Sequence, residues 1–181
     1  MGESSDDPET VVWGAKVSPE FKKKVIEISK RLGANPNHLM AIMAFETGRT
    51  FDPAQRNLAS PKNGPVGLLQ FTTVGAKSIG TTKDELAKKT ALEQLDDVEK
   101  FLAQSKKSGL KKIEDLYAAV HWPVAVGKDL SYVLYSKHSA KSKQFYDSNK
   151  GFDENKDGNI TLEEAAKKVK AALEEGELYR G

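Results

Sequence analysis

Residues 39–70 read LMAIMAFETGRTFDPAQRNLASPKNGPVGLLQ, and this stretch decides the fold. Its almost continuous apolar start predicts a buried helix that ends near one carboxylate, Glu46. A loop rich in glycine and proline follows, and a second short apolar run closes on the amide of Gln70. Gly48 stands where helices often end in a left-handed residue, so Glu46 is expected in the last helical turn, beside the loop.

The surroundings of Glu46 suggest acid chemistry. On a helix it shares one face with residues three, four and seven positions back, which are Met43, Ile42 and Leu39. A carboxylate held against such apolar side chains loses hydration, which favours its neutral acid form. That form is what general-acid catalysis needs. The spacing alone fits an ordinary surface glutamate at a helix end equally well, so it leaves both interpretations open.

Two motifs in this stretch resemble those of the lysozyme-like soluble lytic transglycosylase family. Phe45-Glu46-Thr47-Gly48 is similar to the family's Glu-Ser motif at a helix end, with threonine in place of serine. The run Gly64-Pro65-Val66-Gly67-Leu68-Leu69-Gln70 is similar to its Gly-Leu-Met-Gln motif, with leucine in place of methionine. The likeness covers residues 18–127, and phage-encoded cell-wall lysins resemble the chain most closely.

The resemblance implies both a fold and an activity. The fold is mainly α (α+β lysozyme-like), a helical bundle around a central buried helix with a small β-element beside the cleft. The activity is cleavage of peptidoglycan at the β-1,4 bond between N-acetylmuramic acid and N-acetylglucosamine, with Glu46 as the catalytic general acid. Gln70, together with the backbone near Leu69 and Phe71, would position the acetamido sugar.

A second catalytic acid decides between two mechanisms. A hydrolase uses a second carboxylate, whereas a lytic transglycosylase would use the same glutamate as acid and then as base. Asp52 is the nearest candidate, but an aspartate before proline is also a common turn residue. The sequence therefore favours the mechanism with one glutamate and leaves the product, anhydro or reducing, open.

The family's third motif, Ala-Tyr-Asn-Ala-Gly, is altered in this chain. Residues 119–123 read Ala-Val-His-Trp-Pro, and Gly127 follows. Tyr117 and His121, one helical turn apart, are therefore the candidates to complete the substrate site. A single histidine is also commonly structural, and Trp122 either stacks on a sugar ring or packs in the interior.

Residues 153–164, DENKDGNITLEE, match an EF-hand calcium loop at each diagnostic position. Gly158 provides the sharp turn, and the hard oxygen ligands favour calcium over zinc. The sequence contains no second such loop, which favours a structural Ca2+ site over a sensor; the alternative is an acidic turn that binds nothing. The expected ligands are side-chain oxygens of Asp153, Asn155 and Asp157, the carbonyl of Asn159, and both carboxylate oxygens of Glu164.

Composition restricts the remaining possibilities. The 181 residues carry 28 Lys and Arg against 26 Asp and Glu, a net charge of +2 that does not favour nucleic acid. There is no cysteine, and no apolar run is long enough to cross a membrane. The acidic start is unlike a signal peptide. We expect a flexible leader at residues 1–15 and a single catalytic domain at residues 16–181, with the calcium loop in its C-terminal part.

The expected partner is the peptidoglycan glycan strand, without nucleic acid or a membrane span. A wall enzyme without a signal peptide would reach the cell wall from a phage virion, or from the host cytoplasm by separate delivery, as a monomer or as part of the phage particle. The alternative from another functional class is a catalytically inactive module, either a calcium-dependent wall-binding protein or a structural virion part. The altered third motif favours that alternative.

Overall fold

The computed structural model describes residues 10–56 and 63–181, which form a mainly helical fold with one two-stranded antiparallel sheet. The predicted fold class, mainly helical with a small β-element, is confirmed. Residues 1–9 of the predicted leader and residues 57–62 of the predicted loop lie outside the described residues. The elements are α1 (Pro19–Leu32), α2 (Pro36–Glu46), α3 (Thr73–Ser78), α4 (Lys83–Ala87), α5 (Ala91–Ala103), α6 (Ile113–His121), β1 (Val133–Ser136), α7 (Lys143–Asn149), β2 (Asn159–Thr161) and α8 (Leu162–Glu175).

The helix ends follow local chemistry. The Ser18 side chain caps α1 by accepting from the N–H of Phe21, and Gly33, with φ of 70°, ends it. The Asn35 side chain caps α2 in the same way, with a proline at the first helical position. In the described part of the chain, none of the helices has the length and apolar character needed to cross a bilayer.

Helix α2 is the centre of the fold. Its residues 39–44 are fully buried on every side, and α1, α6 and α8 pack around it. A helix that is apolar all round gains from burial on all its faces. Arg49, just past its end, makes a bidentate ion pair with Glu175 at the end of α8, with N–O distances of 2.7 and 3.0 Å. The helix that follows the predicted calcium loop is therefore part of the main core.

The segment just before α1 also belongs to the core. Val11, Val12 and Trp13 are buried, although they fall within the predicted leader. The Trp13 indole N–H donates to the carbonyl of Ala172 on α8 at 2.9 Å, and the backbones of Val11 and Gly181 pair with each other. The acidic composition of residues 1–10 does not reveal that these three apolar residues are buried, because Val11 and Trp13 bond to residues more than 150 positions away.

The regular strands are not the β-element that was expected beside the cleft. Strand β1 pairs with β2, which lies within the predicted calcium loop. Among the described residues beside Gln70, the pairing consists of isolated bridges from Val66 to Arg56 and to Phe71. Leu68 and Leu69 lie in the tight turn between these bridges and point into the core.

A buried glutamine on α5 holds that turn in place. Gln94 is fully buried; its Oε1 accepts from the N–H of Leu68 at 2.8 Å, and its Nε2 donates to the carbonyls of Pro53 and Leu86, each at 2.9 Å. The turn passes so close that a Cβ on Gly67, which has φ of 87°, would lie 2.5 Å from Gln94 Oε1. Glycine is required there for both space and conformation.

We expect Gln94→Leu to lower the free energy of unfolding by about 2–4 kcal/mol, because a buried backbone group that loses its partner costs about 1–3 kcal/mol. Urea unfolding measures the change. Gln104→Leu at the exposed C-cap of the same helix is the matched control and should change stability by no more than about 0.5 kcal/mol. Equal effects of the two substitutions would contradict the bracing role.

Candidate active site

Glu46 is the last residue of α2 and lies at the wall of an open cleft. Its side chain is only 7% exposed, and the cleft beside it has a volume of about 460 Å³. Glu46 therefore lies at the edge of the core and beside the loop, where the sequence predicts an acidic residue. The cleft lining comprises Phe45, Glu46, Thr47, Gly48, Gln55, Arg56, Pro65, Gln70 and His121.

His121 is hydrogen-bonded to the catalytic candidate. Its Nε2 lies 2.8 Å from Glu46 Oε1, and its side chain is 29% exposed. His121 ends α6 as Glu46 ends α2, so the packing of these two helices places one end of each at the same cleft. An imidazole in this position can donate to a carboxylate or accept from a carboxylic acid, which makes the pair able to share a proton.

Tyr117 lies behind the pair. It is one turn before His121 on α6, and their rings meet edge to face at 5.0 Å. Its ring also packs against Phe45 and Trp122. Burial, and secondly the nearby charge of Glu46, raises the pKa of Tyr117 far above its ordinary value. The phenol therefore stays neutral throughout the physiological pH range.

Thr47, at the position of the serine in the motif that this stretch resembles, stabilises the end of α2. Its hydroxyl is buried, donates to the carbonyl of Met43 at 2.7 Å and accepts from the N–H of Phe51 at 2.9 Å. The bond to Phe51 turns the chain back immediately after Glu46. A hydroxyl is the only part of the serine that these bonds need, so threonine retains the geometry.

Gln70 is at the cleft, but its amide hydrogens are engaged. Its Nε2 donates to the carbonyls of Gln55 and Gly67 at 2.9 and 3.0 Å. Its backbone has φ of 54°, a conformation that costs free energy for a residue with a side chain and often occurs at functional sites. These bonds tie the side chain of Gln70 to the loop that carries Gln55 and to its own turn.

Leu69 and Phe71 contribute buried side chains. With Gln70 and His121 they line a narrow recess of about 20 Å³. The N–H and C=O of Phe71 pair with Val66, so its backbone is already bonded. The contact of this segment with an acetamido sugar stays a prediction.

Asp52 stabilises a turn in the loop after α2. Its Oδ1 accepts from the N–H of Ala54 at 2.8 Å, which is a turn bond, and Asp52 is not among the lining residues of the cleft. Among the described lining residues, Glu46 is the one carboxylate. A larger cavity of about 570 Å³ at the start of α2 has no acidic residue in its described lining.

Sequence reasoning missed Gln55 and Arg56, which line the cleft. The Arg56 guanidinium lies 3.3 Å from Asp84 and brings positive charge to the cleft wall. Both residues lie in a loop whose path depends on the bridge to Val66 and on Gln94. No local pattern could reveal that path. Trp122, by contrast, is half-buried and donates from its indole to the hydroxyl of Tyr135 at 2.7 Å.

The predicted calcium loop has the turn that such a loop requires. Gly158 has φ of 85°, and its N–H donates to Asp153 Oδ2 at 2.8 Å. The hydroxyl of Tyr146 on α7 donates to the same oxygen at 2.5 Å; this bond lowers the pKa of Asp153 and raises the pKa of Tyr146 to about 12. The loop is thereby bonded to the helix that precedes it.

Glu164, the last of the predicted calcium ligands, takes part in capping α8. Glu164 forms a capping box with Thr161, and its second oxygen accepts from the N–H of Glu154 at 2.9 Å. Within residues 10–56 and 63–181, no three Asp, Glu, His or Cys side chains are gathered as a metal site. The turn and the oxygen donors fit calcium, and the carboxylate of Glu164 would have to exchange its N–H partners for the ion.

Comparisons with family models, with curated proteins and with solved structures found no match to this chain. The case for a function therefore depends on the geometry of the cleft and on the motif resemblance alone.

Proposed function

We propose that this chain cleaves peptidoglycan between N-acetylmuramic acid and N-acetylglucosamine, with Glu46 as the general acid. The observation that carries the proposal is the carboxyl group of Glu46, buried at the wall of an open cleft and hydrogen-bonded to His121. The motif resemblance supports the same substrate. The absence of a second carboxylate from the described cleft lining favours a lytic transglycosylase over a two-carboxylate hydrolase.

In the proposed reaction, protonated Glu46 gives its proton to the leaving glycosidic oxygen as the C–O bond breaks. The resulting carboxylate then takes the proton from the hydroxyl group of the same sugar that attacks the anomeric carbon and closes a 1,6-anhydro ring. The acid is thereby regenerated, and no water is consumed. One group serves both steps because they follow one another at the same carbon.

His121 would orient the acid during these steps. With its proton on Nε2, the neutral imidazole donates to Glu46 Oε1, which leaves the acidic proton on Oε2, the oxygen free of this bond. Tyr117, held neutral by burial, adds no competing charge beside the carboxyl. Arg56, which lines the same cleft and is paired with Asp84, suits a substrate whose peptide stems carry carboxylates.

We also propose that the loop at residues 153–164 binds structural calcium through Asp153, Asn155, Asp157, Asn159 and Glu164. Bound calcium would offset part of the negative charge of the loop and fix α7 against the start of α8. Because α8 packs directly on α2, stabilising the loop supports the helix that ends in Glu46. Trp122 also joins the small apolar cluster under the loop to the main core.

We expect Glu46→Gln to abolish lysis of purified peptidoglycan, because the amide has no acidic proton to give. Turbidity of a peptidoglycan suspension measures the loss, and an unchanged melting temperature excludes unfolding. Glu99→Gln, on α5 and paired with Arg31, is the control and should retain activity. Substantial lysis by Glu46→Gln would remove Glu46 from the role, and an inactive wild-type chain that still binds walls would favour the binding module.

The mechanism is tested on the products of the wild-type chain. Mass analysis of the released sugars should find anhydro ends, which are lighter by one water than reducing ends. Reducing ends alone would indicate a hydrolase, whose second acid would have to lie outside the described lining.

For His121, we expect the phenylalanine substitution to lower kcat by about 100-fold, the scale of a misplaced catalytic group. His121→Gln retains an N–H donor and should recover part of the rate. Unchanged rates in both variants would show that the histidine is structural.

Calcium should raise the melting temperature relative to excess chelator, because an ion that binds only the folded form stabilises it by about 2.7 kcal/mol at one hundred times its Kd. Scanning calorimetry measures the shift. Asp157→Ala should abolish it, whereas Glu154→Gln, whose side chain pairs with Lys167 instead, should retain it. No shift in the wild-type chain would disprove the metal site.

A further inference from the structure

A row of aromatic rings leads from the cleft, through the partly buried Trp122 and Tyr135, to α7. From His121 the row passes to Trp122 at a centroid distance of 5.4 Å, then to Tyr135 at 6.3 Å and to Phe145 at 5.7 Å. The first member is bonded to Glu46 and the last lies on α7. The row is therefore continuous with the proposed active site.

The end of the row is open to solvent. Phe145 is 47% exposed, and the ring of Tyr135 is stacked on one of its faces with an interplanar angle of 25°. The hydrogen bond from the Trp122 indole fixes the orientation of Tyr135. The ring of Tyr135 in turn supports Phe145. An aromatic ring that is fixed in orientation and partly exposed presents an apolar surface on which a ligand can pack.

The segment that carries this ring is cationic in sequence, whereas the adjoining loop at residues 153–164 carries five carboxylates and one lysine. Residues 128–150 contain five lysines and two aspartates, a net charge of +3 with histidine neutral, whereas the whole chain carries +2. One of the lysines, Lys143, pairs with Asp147 within α7. The remaining positive charge would attract a polymer that combines sugar rings with carboxylates.

We propose that Phe145, backed by Tyr135, is a distal subsite that binds the same glycan strand beyond the cleft, with its anionic peptide stems near the lysines of residues 128–150. The inference rests on the proposed function for the identity of the strand. The apolar faces of sugar rings pack on flat aromatic surfaces. Because the row of rings extends from His121 to Phe145, one strand would contact both the cleft and Phe145. A long strand would therefore be held at two points and a short fragment at one.

The test uses Phe145→Ala and Phe145→Trp in the full chain, each also combined with Glu46→Gln to separate binding from cleavage. Co-sedimentation with purified peptidoglycan measures the binding of long strands, and kcat/KM is compared between long strands and short oligosaccharides. Leu178→Ala, an exposed apolar residue in the C-terminal turn, is the matched control.

We expect Phe145→Ala to weaken long-strand binding by about 3- to 10-fold, the scale of one aromatic contact, and to leave short substrates and the melting temperature unchanged. Phe145→Trp should restore binding, and the loss should persist at high salt because a ring contact is not screened. Equal binding of long strands by Phe145→Ala and wild type, or an equal loss on short and long substrates, would overturn the subsite.

The two proposals fail in different ways. If Glu46→Gln retains lysis, the acid assignment falls while a loss of wall binding in Phe145→Ala still supports the distal contact. If Glu46→Gln is inactive and Phe145→Ala binds long strands like wild type, the subsite falls and the catalytic assignment stands.

Discussion

The burial of α2 on every side is the constraint on which the rest of the structure depends. A helix without a polar face cannot lie on a surface, so other segments must cover it. Helices α1, α6 and α8 do so, although they come from distant parts of the chain. Only the two ends of α2 are partly exposed, and Glu46 is the residue at its C-terminal end. The same constraint that builds the core thus brings an acidic group to the rim of a cleft.

The parts of the structure that could be predicted from the sequence are those set by near neighbours. The caps of α1 and α2 and the burial of α2 follow from residues within one or two turns, and all of them are observed. The position of Glu46 in the last turn follows from Gly48 in the same way. The parts that could not be predicted depend on long-range pairing. Gln94 holds residues 26 and 41 positions away, and Trp13 bonds to a carbonyl 159 positions away.

The bond between Glu46 and His121 shows the same limit within the site. The sequence indicated His121 as a candidate because of the altered third motif, and its spacing from Tyr117 predicted a shared helix face. Its partner lies 75 positions away and follows only from the packing of α6 against α2. The sequence could therefore name the two members of the pair separately, whereas their contact is a property of the fold.

The loop at residues 153–164 bears on the active site through covalent and packed continuity. On its C-terminal side it continues as α8, which covers α2 and is tied to Arg49 by the ion pair from Glu175. On its N-terminal side it follows α7, whose Tyr146 bonds to Asp153 and whose Phe145 stacks on Tyr135. Strand β2 within the loop pairs with β1, which carries Tyr135. A change in the conformation of the loop would therefore alter the contacts of Tyr135 and Phe145, and through α8 the packing of α2. The loop is better understood as a support of the cleft than as a separate module.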